Sequence, residues 1–600
     1  MNARLDPRAL EAIDLALAKQ LTSRLGRDDD DLLFHSLIAT SEALRNGHAC
    51  LSPAAWAGQT HWRNEDSGHP GYRFPSVETW LAHLAALPLR PEQGEPVVFD
   101  RQRLYLRRYW EFERELAAAL RVRIDAPQPP DNHATRRLLA PLLTDGGNHI
   151  RQSLAVANAL GRRFSIVTGG PGTGKTYTAT QLLSALQLHA DGKLRIRLAA
   201  PTGKAAQRLS ESLGAARAGL LREARIPAEI AATLPGDATT LHRLLGVLPG
   251  GNEFRHDRRN PLRLDVLLVD EASMIDLPLM TRLLRALPEK AQMILLGDAD
   301  QLPSVAVGSV LAELVAPRPP VHPAASKTNR RRLAALLDCA EDAIDPATPD
   351  FVTTLTQSHR FGGAIGELAG EILRGDAEAG WRRVSADQAP IHHPREPLSA
   401  WLARIAARHY LPVAEATDPE TAFERLNDFR LLAATRVGPD GVEALNQQME
   451  TWLRRRLGAP PGARYFHGLP IMVRENHPAS GLFNGDIGLI WRDEAGRLMA
   501  VFPREGGEPP RWINPARLPA TEPVYAMTVH KTQGSEYRHV ALLLPSQPNR
   551  VLSRELLYTA ITRARDELSV HGDAGVWRMA VENRVQRHSG LGERLYGKPT

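Results

Sequence analysis

The chain has 600 residues, more than one hydrophobic core usually supports, so three or four domains are expected. Its 43% hydrophobic and 24% charged residues are typical of a globular protein, and no apolar run of about 18 residues would span a membrane. We therefore expect no membrane partner. The net charge of +6 permits a polyanionic partner such as nucleic acid without requiring one.

The first residues of the chain and its two cysteines predict the cellular compartment of the protein. Residues 1–8 carry charges at once and lack an apolar segment, so no secretory signal is expected. The two cysteines, Cys50 and Cys339, lie far apart in the sequence. This spacing argues against a disulfide framework or a cysteine-based zinc site. Together these features predict a cytoplasmic protein.

Residues 1–130 are predicted to form a mainly helical N-terminal domain, because apolar residues recur three and four positions apart in 10–21 and 80–87. Loops rich in proline and glycine interrupt these helices. The segment 103–110 alternates as a strand does and then becomes basic, so it either contacts nucleic acid or caps the next domain. The proline-rich run 126–131 is predicted to be a linker.

Residues 131–317 are predicted to form an α/β domain around a parallel sheet. Helical segments separate its four apolar strands, which are predicted at 164–168, 195–199, 265–269 and 293–296. Each strand leads into a loop of small and charged residues. In such sheets, ligands bind at the carboxyl ends of the strands.

The first of these loops matches the phosphate-binding pattern G-x-x-x-x-G-K-[ST], and a helix is predicted after it over 178–186. Glycines let backbone N–H groups surround phosphates, and the helix N-terminus adds a favourable dipole. Lys175 is predicted to reach the terminal phosphates of ATP, and the Thr176 hydroxyl to take one position on Mg²⁺. The residues predicted to hold the nucleotide here are Gly169, Gly170, Pro171, Gly172, Thr173, Gly174, Lys175 and Thr176.

Two adjacent carboxylates and an amide follow the next strands. Asp270 directly follows the strand 265–269 and is predicted to hold Mg²⁺, usually through water. Glu271 beside it is predicted to polarise the water that attacks the γ-phosphate. After the strand 293–296, Gln301 carries an amide that is suited to orient this water or to sense the γ-phosphate. Together with the phosphate loop, these residues predict ATP hydrolysis.

Two further loops of this domain are predicted to bind nucleic-acid phosphates. The first follows the strand 195–199 and opens a helix, whose N-terminus attracts phosphate. The second lies at 239–246. The predicted contacts are Pro201, Thr202, Gly203 and Lys204 in the first loop, and Thr240 and His242 in the second.

Residues 318–350 are predicted to be a linker, and a second α/β domain follows in two parts, 351–465 and 519–600. Its apolar strands are predicted at 430–434, 524–528, 540–544 and 568–570. Between the two parts, residues 466–518 contain short β-like segments with Asn-Gly and Gly-Gly turns. This pattern predicts a small inserted β domain.

The second α/β domain carries charged residues suited to a nucleotide and to a nucleic-acid strand. Arg360 and Arg563 are candidate arginine fingers, which stabilise negative charge in a transition state. Glu536 is predicted to bind a ribose hydroxyl. The loop near 528 is predicted to contact a nucleic-acid backbone through Thr528, His530 and Lys531.

The ordered motifs resemble superfamily 1 DNA helicases and, within them, the RecD family, which supplies the alpha subunit of the bacterial RecBCD helicase–nuclease (exodeoxyribonuclease V). These motifs are GGPGTGKT, APTGKAA, TLHRLLG, LLVDEASM, GDADQLPS, SHRF, AMTVHKTQGSE and YTAITRAR. They are specific and span most of the chain after the N-terminal domain. The N-terminal resemblance is weaker.

This resemblance implies a DNA motor with two RecA-like P-loop NTPase domains and an SH3-like fold for the β insertion. It implies ATP-dependent translocation on single-stranded DNA in the 5′-to-3′ direction, with Gln152 reading the adenine. The two α/β domains would close on Mg·ATP and reopen after hydrolysis. With RecB and RecC as partners, the motor would act at duplex ends in DNA repair, recombination and degradation of linear DNA, and the N-terminal domain would dock on RecC.

Three functions stay open at this point. The first is the motor within a RecBCD complex, where the nuclease lies on RecB; this chain has no separate cluster of carboxylates and a lysine for nuclease metals. The second is a free-standing helicase, although residues 1–130 lack the glycine-rich hairpin pair usual in such proteins. The third is a DNA clamp or regulatory subunit, against which the complete set of hydrolytic residues argues.

Overall fold

The computed structural model describes most of the chain. The described residues are 10–64, 68–126, 137, 139–143, 150–248, 253–315, 325–345, 347–357, 363–460, 462–504, 508–547 and 549–597. They form two compact units. The first contains the described residues up to Ala299, then Pro303–Gln357 and the C-terminal residues from Gln586. The second contains Asp300–Leu302 and the described residues between 358 and 585.

The N-terminal part of the first unit is mainly helical, which confirms the prediction. Its helices are Ala12–Arg24, Asp31–Arg45, Val77–Ala86 and Arg107–Ile124. Side-chain caps explain where two of them begin, because Asp30 accepts a hydrogen bond from the Leu33 N–H and Ser76 accepts one from the Thr79 N–H. The antiparallel strand pairs are β1 (Thr60–His61) with β2 (Tyr72–Arg73) and β3 (Val97–Asp100) with β4 (Arg103–Leu106).

The segment 103–110 is strand β4 followed by the start of a long helix, Arg107–Ile124. This helix packs on the helix Leu277–Ala286 of the first α/β domain, where the Thr281 hydroxyl donates a hydrogen bond to the Phe112 carbonyl over 3.1 Å. The helix thus packs on that domain, while the role of the segment 103–110 itself stays a prediction.

A six-stranded parallel sheet forms the centre of the first unit, in the order β10–β5–β9–β8–β6–β7. Its strands are β5 (Phe164–Gly169), β6 (Ile196–Ala200), β7 (Ala238–Thr240), β8 (Val266–Val269), β9 (Gln292–Gly297) and β10 (Val352–Leu355). The four predicted strands are confirmed as β5, β6, β8 and β9. The other two strands, β7 and β10, were not predicted and lie at the two edges of the sheet.

Helices cover both faces of this sheet. They are Ile150–Ala159, Lys175–His189, Gly203–Arg222, Ala228–Thr233, Leu241–Leu245, Leu277–Ala286, Val310–Val315 and Lys327–Leu337. Successive side chains of strand β8 point to opposite faces of the sheet. Leu267 packs into the apolar core on one face, while Val266 and Leu268 pack into the core on the other. The sheet is therefore buried on both sides, as continuous apolar strands require.

Strand β10 corrects one predicted boundary. Its residues were assigned to the second α/β domain, which was predicted to begin at 351, yet Val352 pairs with Ile166 of the first sheet. The helix Lys327–Leu337, within the predicted linker 318–350, buries Leu333 in the core of the first unit. The remaining domain boundaries stay predictions.

The second unit contains a five-stranded parallel sheet in the order β11–β20–β19–β12–β18. Its strands are β11 (Ile391–His392), β12 (Phe429–Ala433), β18 (Ala526–Thr528), β19 (Tyr537–Leu543) and β20 (Ala564–His571). The helices of this unit are Ala364–Arg374, Ala377–Ser385, Leu398–Ile405, Leu411–Ala414, Pro419–Asp428, Val442–Arg456, Arg554–Ile561 and Ala574–Glu582.

An antiparallel sheet lies between β12 and β18 in the sequence, in the order β16–β15–β14–β13–β17. Its strands are β13 (Pro470–Val473), β14 (Ile487–Arg492), β15 (Leu498–Phe502), β16 (Arg511–Ile513) and β17 (Thr521–Pro523). The region 466–518, predicted to be an inserted β domain, contains β13 to β16, while β17 lies just beyond its predicted end. Its SH3-like fold stays a prediction.

The C-terminal residues return to the first unit, although they were predicted to end the second α/β domain. From Gln586 the chain belongs to the first unit, where the helix Leu591–Tyr596 packs on the helix Arg107–Ile124. Among the described residues, no helix is both long and apolar enough to cross a membrane.

Candidate functional site

The phosphate loop lies at the carboxyl end of β5, whose six residues are all buried. The helix that follows runs over Lys175–His189, three residues longer at each end than predicted. Gly174 has φ +83°, a left-handed conformation that favours glycine. An added Cβ there would also lie 2.6 Å from Gln152 Nε2. The sequence needs glycine at 174 for both reasons.

Lys175 is held inside this loop. Its ammonium donates hydrogen bonds to the carbonyls of Gly169 over 2.6 Å and Gly170 over 2.9 Å. The Thr173 hydroxyl donates to the Gly170 carbonyl over 2.8 Å and closes the turn. Gln152, on the helix Ile150–Ala159, donates to the Thr173 carbonyl over 3.5 Å. The predicted adenine-reading residue therefore lies against the phosphate loop.

The two adjacent carboxylates follow β8 at the same edge of the sheet, because β9 pairs with both β5 and β8 in parallel. Asp270 accepts a hydrogen bond from the Glu271 N–H over 2.8 Å. Glu271 has φ +51°, which is uncommon for a residue with a side chain. Gly297 allows this turn to approach β9, since a Cβ on Gly297 would lie 3.2 Å from the Ala272 nitrogen.

The electrostatics of this edge fit a cation site. Burial, and then the neighbouring charge of Glu271, raise the pKa of Asp270 to about 6. The positive charges of Lys175 and Arg208 act in the opposite direction. Arg208 lies on the helix Gly203–Arg222, one helical turn after the predicted DNA contact Lys204. The sequence analysis missed Arg208, although this spacing on the helix was a signal for it.

The donor set fits a magnesium–triphosphate group. A lysine ammonium and the N-terminus of the helix Lys175–His189 suit phosphate, and the hydroxyl of Thr176 and the carboxylate of Asp270 suit Mg²⁺. A cation between these acidic and basic groups would also remove the repulsion that raises the Asp270 pKa. The residues predicted for ATP and Mg²⁺ in this unit are therefore brought together.

The two loops predicted to bind nucleic acid also lie side by side, because Ala200 of β6 pairs with Thr240 at the end of β7. Thr202 accepts a hydrogen bond from the Ala205 N–H, and Thr240 accepts one from the Arg243 N–H, so each caps a helix. Of the other predicted contacts here, Pro201 is half-buried, and Gly203, Lys204 and His242 are exposed.

In the second unit, Gln301 and Arg563 are buried, with 4% and 2% of their surfaces exposed. The backbone next to Gln301 is fixed, because the Leu302 N–H donates to the Thr559 hydroxyl over 2.9 Å. The Arg563 guanidinium donates to the carbonyls of Thr559 and Ser535 over 3.1 Å each. Glu536 follows Ser535 and is half-buried.

The remaining contacts predicted in this unit lie at the end of β18. Thr528 pairs with Ala433 of β12, and the half-buried His530 and the exposed Lys531 follow in a short 3₁₀ turn. Lys531 forms an ion pair of 2.9 Å with Glu522.

Glu522 also pairs with two arginines that the sequence analysis missed, Arg436 at 3.1 Å and Arg474 at 3.7 Å. Arg436 follows strand β12 at its carboxyl end, where the other predicted contacts lie, and this position was the available signal. The predicted arginine finger Arg360 lies outside the described residues.

Family models match three parts of the sequence. The model described as "RecBCD enzyme subunit RecD, N-terminal domain" matches residues 6–105. The model of an AAA domain matches 152–307, and that of a UvrD-like helicase C-terminal domain matches 523–570. The second range contains the phosphate loop and both carboxylates.

Known proteins resemble most of the chain. The RecBCD enzyme subunit RecD of Mycobacterium tuberculosis is 36% identical over 598 residues, which cover 98% of this chain and 95% of that protein. The ATP-dependent RecD2 DNA helicase of Deinococcus radiodurans is 30% identical, over 82% of this chain and 58% of that protein. The crystal structure of the Pif1 helicase from Candida albicans covers 72% of this chain and 96% of that one, with 15% identity and a TM-score of 0.37, too low to support a conclusion.

Proposed function

The chain belongs to the RecD family, and from this premise we propose that it is an ATP-dependent DNA helicase that acts as the RecD subunit of a RecBCD complex. The observation that carries the proposal is the phosphate loop with Lys175 and Asp270 at one carboxyl edge of a parallel sheet. This edge is where α/β domains bind ligands. We infer that both parallel sheets are RecA-like domains.

The first unit would bind and hydrolyse the nucleotide. Lys175 and the loop N–H groups bind the phosphates, while Thr176 and Asp270 hold Mg²⁺, which would neutralise charge on the phosphate oxygens. Glu271 accepts the proton of the attacking water, since its carboxylate follows Asp270 directly. Gln152 selects adenine.

Residues of the second unit complete the proposed chemistry. Arg563, together with Arg360, would stabilise the charge of the transition state. The Gln301 amide would orient the water, and Glu536 would bind the ribose. The hydrogen bonds of Arg563 to the Thr559 and Ser535 carbonyls hold its guanidinium in a fixed position.

The residues proposed to bind DNA lie at the carboxyl ends of strands in both parallel sheets. Thr202 and Thr240 cap two helix N-termini, and DNA phosphates would bind there beside Pro201, Gly203, Lys204 and His242. In the second unit, Thr528, His530 and Lys531 would contact the DNA strand.

We propose translocation in the 5′-to-3′ direction, RecB and RecC as partners, docking of the N-terminal region on RecC, and a cytoplasmic location. Cleavage of DNA is not assigned to this chain.

A free-standing helicase is the second candidate, because the chain also resembles the RecD2 helicase. Sequence identity favours the RecD subunit, since the chain is 36% identical to the mycobacterial RecD over 98% of its length but 30% identical to RecD2 over 82%. The complete set of hydrolytic residues still argues against a clamp without catalysis.

Hydrolysis of ATP by the full chain, with and without single-stranded DNA, tests the proposal. Glu271→Gln should keep ATP binding and lower kcat by about 10²- to 10⁴-fold, because it removes a general base. Lys175→Gln should lose binding itself. Lys193→Gln is the matched control, since Lys193 is an exposed lysine that pairs with Asp191. Wild-type rates in Glu271→Gln would contradict the proposed site.

A further inference from the structure

The helix Arg107–Ile124 and the helix Leu277–Ala286 carry arginines on neighbouring surfaces of the first unit. The two helices pack on each other, and the ring of Phe112 is buried beside their contact. The guanidinium of Arg108 lies over this ring at 5.6 Å from its centroid, and that of Arg285 lies over it at 5.4 Å. Arginines from both helices therefore lie against one aromatic ring.

Arg282, on the same helix as Arg285, connects these arginines with a residue that is proposed to bind DNA. Its guanidinium lies over the Phe254 ring at 5.2 Å from the centroid. The ring of His242, a proposed contact of DNA phosphates, lies 6.0 Å from that of Phe254. His242 is exposed, and Phe254 and Arg282 are half-buried, so the three side chains form one continuous surface.

Like charges meet on this surface. Burial, and then the neighbouring charge of Arg108, lower the pKa of Arg282, and Arg285 adds to this effect. Asp276 acts in the opposite direction, but its carboxylate also caps the N-terminus of the helix Leu277–Ala286. Within the part of the chain that the structure describes, neither Arg108 nor Arg282 forms an ion pair. An anion bound here would relieve the repulsion between the arginines.

A single carboxylate neutralises two other arginines of this surface. Glu115, on the helix that carries Arg108, pairs with Arg285 at 2.8 Å and with Arg258 at 3.3 Å. Arg258 follows Phe254 in the sequence, so the surface continues along this segment. Glu115 is thus engaged by Arg258 and Arg285, and the charges of Arg108 and Arg282 are left for an anion from outside the chain.

The chemistry of this surface suits a phosphate backbone. A guanidinium that lies over an aromatic ring keeps the N–H groups at its edge available for a phosphate. Positive charge combined with aromatic side chains is typical of surfaces that bind single-stranded nucleic acid. The surface also adjoins His242, where the DNA strand is proposed to bind.

We propose that Arg108 and Arg282 bind phosphates of the single DNA strand that contacts His242, so that the DNA site of the first unit continues onto the N-terminal region. The inference rests on the proposed DNA binding of this chain and deepens it. Arg108 belongs to the basic end of the segment 103–110. The proposal assigns to this segment a contact with nucleic acid, one of the two roles that its sequence left open.

Binding of a fluorescently labelled oligothymidylate to the full chain at several salt concentrations tests the proposal. Arg108→Gln and Arg282→Gln should each weaken binding. Each should also reduce the steepness of log affinity against log salt by about 0.7, the value for one phosphate contact on a single strand. The double variant should reduce it by about 1.4, because the contacts are separate. Arg195→Gln is the matched control and should keep the wild-type steepness, since the exposed Arg195 pairs with Asp265 at the amino end of the sheet.

A gain of affinity separates DNA binding from a structural effect. Glu115→Gln removes the acid that neutralises Arg258 and Arg285, so it should tighten DNA binding, which a loss of structure would not do. Wild-type steepness in either arginine variant would overturn the proposal. So would a loss on duplex DNA alone, or weaker binding of RecC with DNA binding unchanged. Absence of oligothymidylate binding by the wild-type chain would refute the proposed function as well.

Discussion

At the scale of single residues, Gly174 connects backbone geometry to nucleotide binding. Its left-handed φ of +83° and its distance from Gln152 leave no room for a side chain. Gly174→Ala should weaken ATP binding about tenfold, since the left-handed conformation costs roughly 1–2 kcal/mol with a Cβ. Titration with a fluorescent ATP analogue measures this change.

The matched control for that prediction is Gly214→Ala. Gly214 lies inside the helix Gly203–Arg222, and a Cβ there would meet nothing within 4 Å. The substitution should stabilise the chain by about 0.5–1 kcal/mol and leave ATP binding unchanged. Equal loss of binding in both variants would show that the loop geometry is not the cause.

Single residues of the nucleotide site were predictable when their chemistry follows from local spacing. Lys175 and Asp270 each follow a buried apolar strand, and parallel pairing brings the strand ends to one edge. Local signals existed for Arg208, one helical turn after Lys204, and for Arg436, just after β12, but they do not show which acidic group each arginine meets. Their partners, Asp270 and Glu522, are distant in the sequence.

At the scale of elements, two histidines, the half-buried His409 and the buried His539, lie at the amino end of the second parallel sheet. His409 stacks on Phe429 with ring centroids 3.8 Å apart, and His539 hydrogen-bonds the Ser569 hydroxyl over 2.9 Å. Burial lowers the pKa of His409 to about 3 and that of His539 to about 4. The charged groups that act on the pair are His392, Arg404, Arg408 and Glu567.

These lowered pKa values make the second unit sensitive to acid. Below the ordinary histidine pKa of about 6.5, the unfolded chain binds protons that the folded chain excludes. The free energy of unfolding should therefore fall as the pH decreases from 7 to 5. In His409→Phe, which keeps the stack on Phe429, the fall should be smaller.

Urea unfolding of the second unit at pH 7 and pH 5 checks this prediction. His189→Phe is the control, because His189 is exposed at the end of a helix in the first unit. The same pH dependence in His409→Phe and in the wild type would contradict the assigned cause.

Strands β7 and β10 show why some elements were not predicted. Their sequences, Ala-Thr-Thr and Val-Thr-Thr-Leu, lack the apolar run that identified the central strands. At an edge, a strand pairs on one side only and is partly exposed, so threonines suffice. They form strands because they pair with β6 and β5, and these partner strands lie elsewhere in the sequence.

At the scale of the whole molecule, the C-terminal residues Gln586–Gly597, called the C-terminal strap, join distant parts of the sequence. Arg594 pairs with Glu113, 481 residues earlier, over 2.8 Å, and with Asp100 over 2.6 Å. Glu113 is fully buried and also accepts a hydrogen bond from the Gly590 N–H. Such partners cannot be inferred from local sequence, so the strap was assigned to the second domain.

Removal of one partner should strongly destabilise the first unit. Arg594→Met leaves the Glu113 carboxylate buried without its cation, which typically costs about 3–5 kcal/mol of unfolding free energy. The exposed pair of Arg578 with Glu378 offers the control, because Arg578→Met should cost less than about 1 kcal/mol. Denaturant unfolding of both variants measures the difference, and equal costs would contradict the structural role of the strap.

Unwinding of tailed duplexes shows whether the chain is a DNA motor and in which direction it moves along the strand. The full chain, alone and combined with RecB and RecC, is given duplexes that carry either a 5′ or a 3′ single-stranded tail. So that only this chain hydrolyses ATP, the RecB and RecC used are inactive in ATP hydrolysis. We predict ATP-dependent opening of the 5′-tailed duplex only, lost in Lys175→Gln. Opening from the 3′ tail, or opening that survives Lys175→Gln, would contradict the account.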